Sequence, residues 1–275
     1  MTTEILPTNP RVWRFFGIPR SGNHAIIEWF MGNIDIETTI FLNNCREGDP
    51  FTGFSYCNFV HNGHLRKHRA NIHREKNHHF HRLLDKRSSA TDLIISYEIM
   101  SPRPEERARL HAESGINAQP TADFLIIRSP LNLIASSLTK LRNEITRPPR
   151  LRKSLEHLEA WLPGTYQAYL QTASEDDVHP VIYDQWGADQ TYRKDILESV
   201  GLDPKRLDLG AMTTAGGGSS FDRQQDVDTI SKSKRWPRYV EDPDFRRLVA
   251  ALLNADTDGL IKAWFPDDWT EAQDL

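Results

Sequence analysis

The chain has 275 residues, with 34 Lys and Arg against 38 Asp and Glu, for a formal net charge of −4. With 38% hydrophobic and 26% charged residues it has the composition of an ordinary globular protein with a sizeable core. The charge balance makes no case for nucleic acid or an anionic membrane as a partner. Two cysteines, Cys45 and Cys57, suit neither a disulfide framework nor a zinc site and read as thiols in a reducing compartment. No stretch approaches the ~18 consecutive apolar residues of a membrane span. Met1 to Phe15 lacks the charged-then-apolar order of a signal peptide, so a cytoplasmic protein is expected. Without internal repeats or a low-complexity linker, one domain over 1–275 is the expectation.

In chain order, the first informative stretch is VWRFFGIPRSGNHAIIEW, Val12 to Trp29. Val12 to Ile18 reads as a buried strand, and Gly17, Pro19 and Gly22 force a tight loop. From Asn23 onward Ala25, Ile26, Ile27, Trp29, Phe30 and Met31 make an apolar helix suited to packing inside layers. Strand, glycine loop and buried helix form a phosphate cradle, because the first amides of a helix and its dipole hold an anion. The Gly17-x-x-x-x-Gly22 spacing is that of the Walker A loop, which then needs Lys and Ser or Thr. Asn23 and His24 stand there instead, and the cation, Arg20, comes before Ser21-Gly22.

Residues 34–60 read as irregular, with turns at Asn43-Asn44, Gly48-Asp49-Pro50 and Gly53. Residues 61–87 are a basic, His-rich block, expected as a flap or surface helix in which His64 and His68 could share a face. No third ligand of fixed spacing follows, so no metal is expected. Asp92 to Glu98 is a second strand, followed by a Pro- and charge-rich segment to about Pro120. Phe124 to Ile127 is a third strand that runs into Arg128-Ser129-Pro130. Leu131, Ile134, Ala135, Leu138, Leu141 and Ile145 then fall at helical spacing, up to a break at Arg147 to Arg150. A further helical pattern, Leu151 to Leu162, is expected to stop at Pro163-Gly164. Pro180 to Tyr183 is a fourth strand, and Tyr192 to Val200 a helix closed by Gly201. Four strands alternating with helices imply an α/β fold with a central parallel sheet. Ligands then sit at the strands' carboxyl ends, where Arg20, Glu98, Arg128 and Asp184 fall.

PRSG followed by two polar residues resembles the 5′-phosphosulfate loop of the sulfotransferase family, usually Pro-Lys/Arg-Ser-Gly-Thr-Thr. FLIIRSPLNLIASSL is similar to the same family's 3′-phosphate motif, with Ser136 eight residues after Arg128. Here Ser129 replaces the usual Asp or Asn, and Asn23-His24 replace Thr-Thr. The resemblance implies a three-layer α/β/α fold of the P-loop NTPase-like sulfotransferase type. It implies 3′-phosphoadenosine 5′-phosphosulfate (PAPS) as donor, bound without a metal. Arg20, Ser21, Gly22, Asn23 and His24 would grip its 5′ end, and Arg128 and Ser136 its 3′-phosphate. VIYDQWGADQTYRKDILESVGLD, from Val181, echoes a family segment of mostly structural role. Arg223, within AGGGSSFDRQ, and the run Lys232 to Arg235 could reach the 3′-phosphate.

Sulfuryl transfer also needs a base near the attack line. In this family a His or Glu past the second strand region serves, which makes Glu98 the first choice, with His24, His61 and His64 as rivals. The acceptor would be a hydroxyl or amine of a small molecule or glycan; a basic block suits an acidic glycan. Two other readings stay open: a magnesium-dependent P-loop small-molecule kinase, and a non-catalytic nucleotide-binding protein. The oligomeric state is not legible.

Overall fold

In the computed structural model, residues 10–61, 64–69, 83, 89–98, 100–143, 154–175, 177–209 and 234–275 are described. The strand before the glycine loop, β1 (Arg11–Gly17), runs parallel to β5 (Asp92–Tyr97) on one side and β6 (Pro120–Ile127) on the other. The sheet continues through parallel β7 (His179–Ile182) beyond β6 and parallel β2 (Thr39–Asn43) beyond β5. Two antiparallel strands, β3 (Tyr56–His61) and β4 (His64–Arg69), complete the order β4-β3-β2-β5-β1-β6-β7. The sheet is therefore mixed, with five parallel strands where four were expected.

Three of these strands correct the sequence reading. Residues 34–60 are not irregular throughout: β2, TIFLN, is buried along its whole length, and β3 pairs with it. So short an apolar run between turn signals leaves no periodicity to read. Within the basic block, HLRKHR is an edge strand rather than a helix. Charged residues blunt a sheet edge, and only the pairing with β3 reveals the strand. The rest of the block, apart from His61 at the end of β3 and Leu83, lies outside the described residues.

Nearly every β1 residue is buried, and alternate side chains feed opposite faces of the sheet. Trp13 and Phe15 meet α1 (Asn23–Met31), α5 (Tyr183–Ala188) and α6 (Gln190–Ser199). Val12 and Phe16 face the opposite layer, built from α2 (Pro104–Glu113), α3 (Pro130–Asn143), α4 (Leu155–Ala173) and α7 (Pro243–Ala255). Two short helices, α8 (Leu260–Trp264) and α9 (Pro266–Gln273), close the same layer. The arrangement is three-layered, α/β/α.

Two helices depart from expectation. α2 is almost uniformly polar, but it has Pro104 at its first turn with Glu105 and Glu106, and it seats Leu110 in the core. α4 runs through Pro163-Gly164 without stopping. Burial of Leu162, Tyr166, Tyr169 and Leu170 outweighs the hydrogen bond a proline removes. The expected break at Arg147 to Arg150 lies outside the described residues.

α1 is fixed by aromatic contacts: Phe30 packs edge-on against Phe15 and Trp13, both at 5.2 Å, and Phe15 stacks on Phe124 at 4.6 Å. On the other face, a buried ion network ties α2 to the sheet. Asp123 accepts from Arg14 Nε at 2.6 Å and from Arg107 Nη1 at 2.9 Å, and Arg107 also reaches Asp177 at 2.7 Å. Among the described residues no helix is long and apolar enough to cross a membrane.

Candidate functional site

The register aligns the carboxyl ends of the central strands, with Phe16 beside Tyr97 and Gly17 beside Ile126. The loop after β1 is held by its own side chains. Ser21 Oγ lies 2.7 Å from both Ile18 O and Asn23 Oδ1, and Asn23 Nδ2 donates to Gly17 O at 3.3 Å. The side chains of Ser21 and Asn23 thus shape the loop. Gly22 has φ +101°, and a Cβ there would stand 2.1 Å from the Tyr183 ring. As the N-cap of α1 it supplies no side-chain oxygen, and the first turn carries no acidic residue. The positive end of this helix is left to the loop's surroundings.

Those surroundings are arginines. Arg20 takes φ +80°, a strained conformation for a side chain with a Cβ. Its carbonyl accepts from Arg128 Nη1 at 2.9 Å, and its Nε donates to Ser136 Oγ at 3.2 Å. Arg128 follows the last residue of β6, is 5% exposed and stacks over the Tyr183 ring at 4.9 Å. Its Nε is buried and meets no acceptor among the described residues.

Arg235, the last of the basic run, is also 5% exposed, and its backbone amide donates to Asn132 Oδ1 at 2.8 Å. Burial, and after it the charges of Arg128 and Arg20, push its guanidinium down to about 10. Lys234, one residue earlier, turns away to Glu271. Arg223, with Lys232, lies outside the described residues.

The neighbouring helix start is already occupied. Asp184 accepts from Ser129 N at 2.7 Å and from Asn132 Nδ2 at 3.3 Å. Asp268, from α9, accepts from Ser129 Oγ and from Leu131 N at 3.3 Å. Burial raises the Asp268 carboxyl to about 6. Ser129 thus caps α3 and receives the C-terminal helix. Asp184 stands in the first turn of α5, and through its bonds to Ser129 and Asn132 it ties β7's end to the start of α3.

A second cluster forms beside the loop. The His24 ring has Nδ1 at 3.1 Å from the Tyr56 hydroxyl and Nε2 at 3.6 Å from Glu98 Oε1. Lys67 Nζ sits over the Tyr56 ring at 4.3 Å. Burial, then Lys67, then Arg20 bring His24 down to about 4, so its imidazole is neutral near pH 7. Burial first, then Glu98 and Glu28, push the Tyr56 phenol well up, so it keeps its proton.

The structure brings Glu98 and His24 together. His64 is exposed on edge strand β4, opposite His61. Both stand at the far end of the β3–β4 hairpin, roughly 16 Å along the strand from Tyr56. Tyr56 carried no signal in the sequence, because β3 was not legible there, and Lys67 was readable only as one cation of the basic block. Among the described residues no group of three or more His, Cys, Asp or Glu is placed to hold a metal ion.

No protein-family model matches the chain, and no curated protein matches it in sequence. Among solved structures it is similar to mouse sulfotransferase SULT7A1 complexed with PAP, at 13% identity and a TM-score of 0.48, over 94% of this chain and 91% of that one. A likeness that distant transfers no residue roles.

Proposed function

We propose that the chain is a sulfotransferase, moving a sulfuryl group from PAPS to a hydroxyl or amine of a small-molecule or glycan acceptor in the cytoplasm. The observation that carries this reading is the meeting of the two motifs. Arg20 of the PRSG loop is bonded to both Arg128 and Ser136, although 108 and 116 residues separate them. Two halves of a resemblance that come together in space support a common ligand.

The site's chemistry fits a nucleotide with phosphates at both ends. Arg20, Arg128 and Arg235 are three cations gathered at the loop, and burial, with the charges of Arg128 and Arg20, pushes the Arg235 guanidinium down. The Arg128 Nε, which meets no acceptor among the described residues, is a donor suited to a phosphate oxygen. Arg128 and Ser136 would hold the 3′-phosphate. Arg20 and the first amides of α1 would neutralise charge developing on the 5′ side. Ser21 and Asn23 would contribute through the loop shape they maintain. When bound, the donor supplies a sulfuryl group on a good leaving group; the residues orient it and stabilise charge. Glu98 would take the proton of the acceptor, and the basic face at Lys67 favours an acceptor that carries negative charge. A triphosphate is poorly served, since Asn23 and His24 replace the Lys and the magnesium-binding hydroxyl.

The test is calorimetric titration with adenosine 3′,5′-bisphosphate, and with ADP plus magnesium in parallel. Metal-independent binding of the bisphosphate, lost in Arg128→Ala, is expected. Binding of ADP-magnesium alone would overturn the reading in favour of a kinase. Bisphosphate binding without transfer to any acceptor would leave a non-catalytic nucleotide-binding protein.

A further inference from the structure

The cluster beside the loop contains two groups able to accept a proton, Glu98 and His24, and its geometry divides the labour between them. His24 Nε2 faces a carboxylate oxygen at 3.6 Å. A lone pair on that nitrogen would repel the carboxylate, whereas an N–H is attracted to it. The ring proton therefore belongs on Nε2. Nδ1 is then the ring's acceptor, and the hydroxyl at 3.1 Å, on Tyr56, is the donor it needs.

We propose that Tyr56 is a positioning residue for the base: by donating to His24 Nδ1 it locks the imidazole as the Nε2–H tautomer, whose proton holds Glu98 in place. Glu98 is then the proton acceptor, and His24 orients it without taking the proton itself. This rests on the sulfotransferase reading for the reaction, though not for the tautomer. In the transfer, an acceptor oxygen forms its bond to sulfur as the bond from sulfur to the phosphate oxygen breaks. The electron pair leaves with the phosphate, and the acceptor's proton goes to Glu98.

The surroundings favour the arrangement. Among the described residues, the charged and titratable groups facing His24 are Arg20 of the loop, Tyr56 of β3, Lys67 of β4 and Glu98 after β5. Both cations oppose a second ring proton, so the imidazole stays neutral and singly protonated. Tyr56 is 8% exposed, and its hydroxyl is turned to the His24 ring. A hydroxyl spent in this way fixes a tautomer, as the carboxylate does for the histidine of a catalytic triad.

The experiment is a long-range proton–nitrogen correlation spectrum of the full-length protein near pH 7, with the His24 signals assigned by their loss in His24→Gln. The wild-type spectrum should show the proton on Nε2. In Tyr56→Phe a mixture of tautomers should appear. His24 should also titrate at higher pH, because the bond favouring its neutral form is gone. Transfer assays should show kcat lower by about tenfold in Tyr56→Phe, with KM for the acceptor and bisphosphate affinity unchanged. A purely structural role would move none of the spectral readouts.

A proton on Nδ1 in the wild type overturns the proposal, and so does a His24 spectrum unchanged in Tyr56→Phe. If that variant does not fold, the wild-type tautomer and its pH titration still decide. If the wild type sulfates no acceptor, the functional reading fails, and the spectra decide the tautomer separately.

Discussion

Arg20 Nε donates to Ser136 Oγ at 3.2 Å, joining the loop after the first strand to the second turn of a helix 116 residues away. The same arginine is held at φ +80° by the bond from Arg128 to its carbonyl. A strained residue persists only when its neighbours over-determine it, and here both neighbours belong to the second motif.

That relationship predicts different phenotypes for its two ends. Ser136→Ala removes a hydroxyl from the proposed 3′-phosphate pocket and should weaken adenosine 3′,5′-bisphosphate binding by about tenfold. Arg20→Ala should lower kcat more than donor affinity, because its charge is needed most as the leaving oxygen becomes negative. Calorimetry and steady-state kinetics on the two variants separate these effects. A pure affinity loss in Arg20→Ala would refute its role.

Gly22→Ala should be far more damaging than Gly201→Ala. Both positions have positive φ, +101° and +72°, so each incurs a backbone cost of about 1 kcal/mol with any L side chain. Around Gly201 no described residue lies within 4 Å of the added carbon, whereas at Gly22 the Tyr183 ring stands at 2.1 Å. Thermal melts should show a drop of about 3 °C for Gly201→Ala. For Gly22→Ala a clearly larger drop is expected, with bisphosphate binding abolished.

Asp123→Ala should cost about 3–5 kcal/mol in chemical denaturation, since it leaves the buried Arg14 and Arg107 without their shared carboxylate. The expected loss lies in stability, with bisphosphate affinity of the folded fraction retained. A cost below about 1 kcal/mol would show that water replaces the carboxylate.

Asp268 predicts a pH dependence of stability. Its folded carboxyl titrates at about 6 against an ordinary value of 3.8, so between these the folded state binds the extra proton. Its contribution is fully present below 3.8 and is lost as pH rises through 6. His24, lowered from 6.5 to about 4, acts oppositely: the unfolded state binds its proton in that window, and stability rises with pH. Subtracting Asp268→Asn isolates the first effect. The stability of wild type relative to this variant should fall, by on the order of 2 kcal/mol, between pH 4 and 7 in denaturant titrations. A flat difference would sink the assignment.

How much of this was legible in the residues depends on whether the signal was local. Gly17, Pro19 and Gly22 announced a tight turn, with Gly22 at its positive-φ end, and the apolar helix after it declared its own burial. Arg128-Ser129-Pro130 marked a strand's end and a helix's start, because a proline opens a helix as surely as it breaks one. Those local rules determined the strand–loop–helix architecture, the α/β class and the placement of Arg20 and Arg128 at strand ends.

The tertiary structure decided the rest. HLRKHR became a strand only by pairing with Tyr56 to His61, and α4 passed through Pro163 only because its far side is buried. Arg235 joined Arg20 and Arg128, and Tyr56 met His24, through chain returns of many residues. Such contacts are chosen by packing and pairing energies summed over the whole molecule, and no window of sequence contains them.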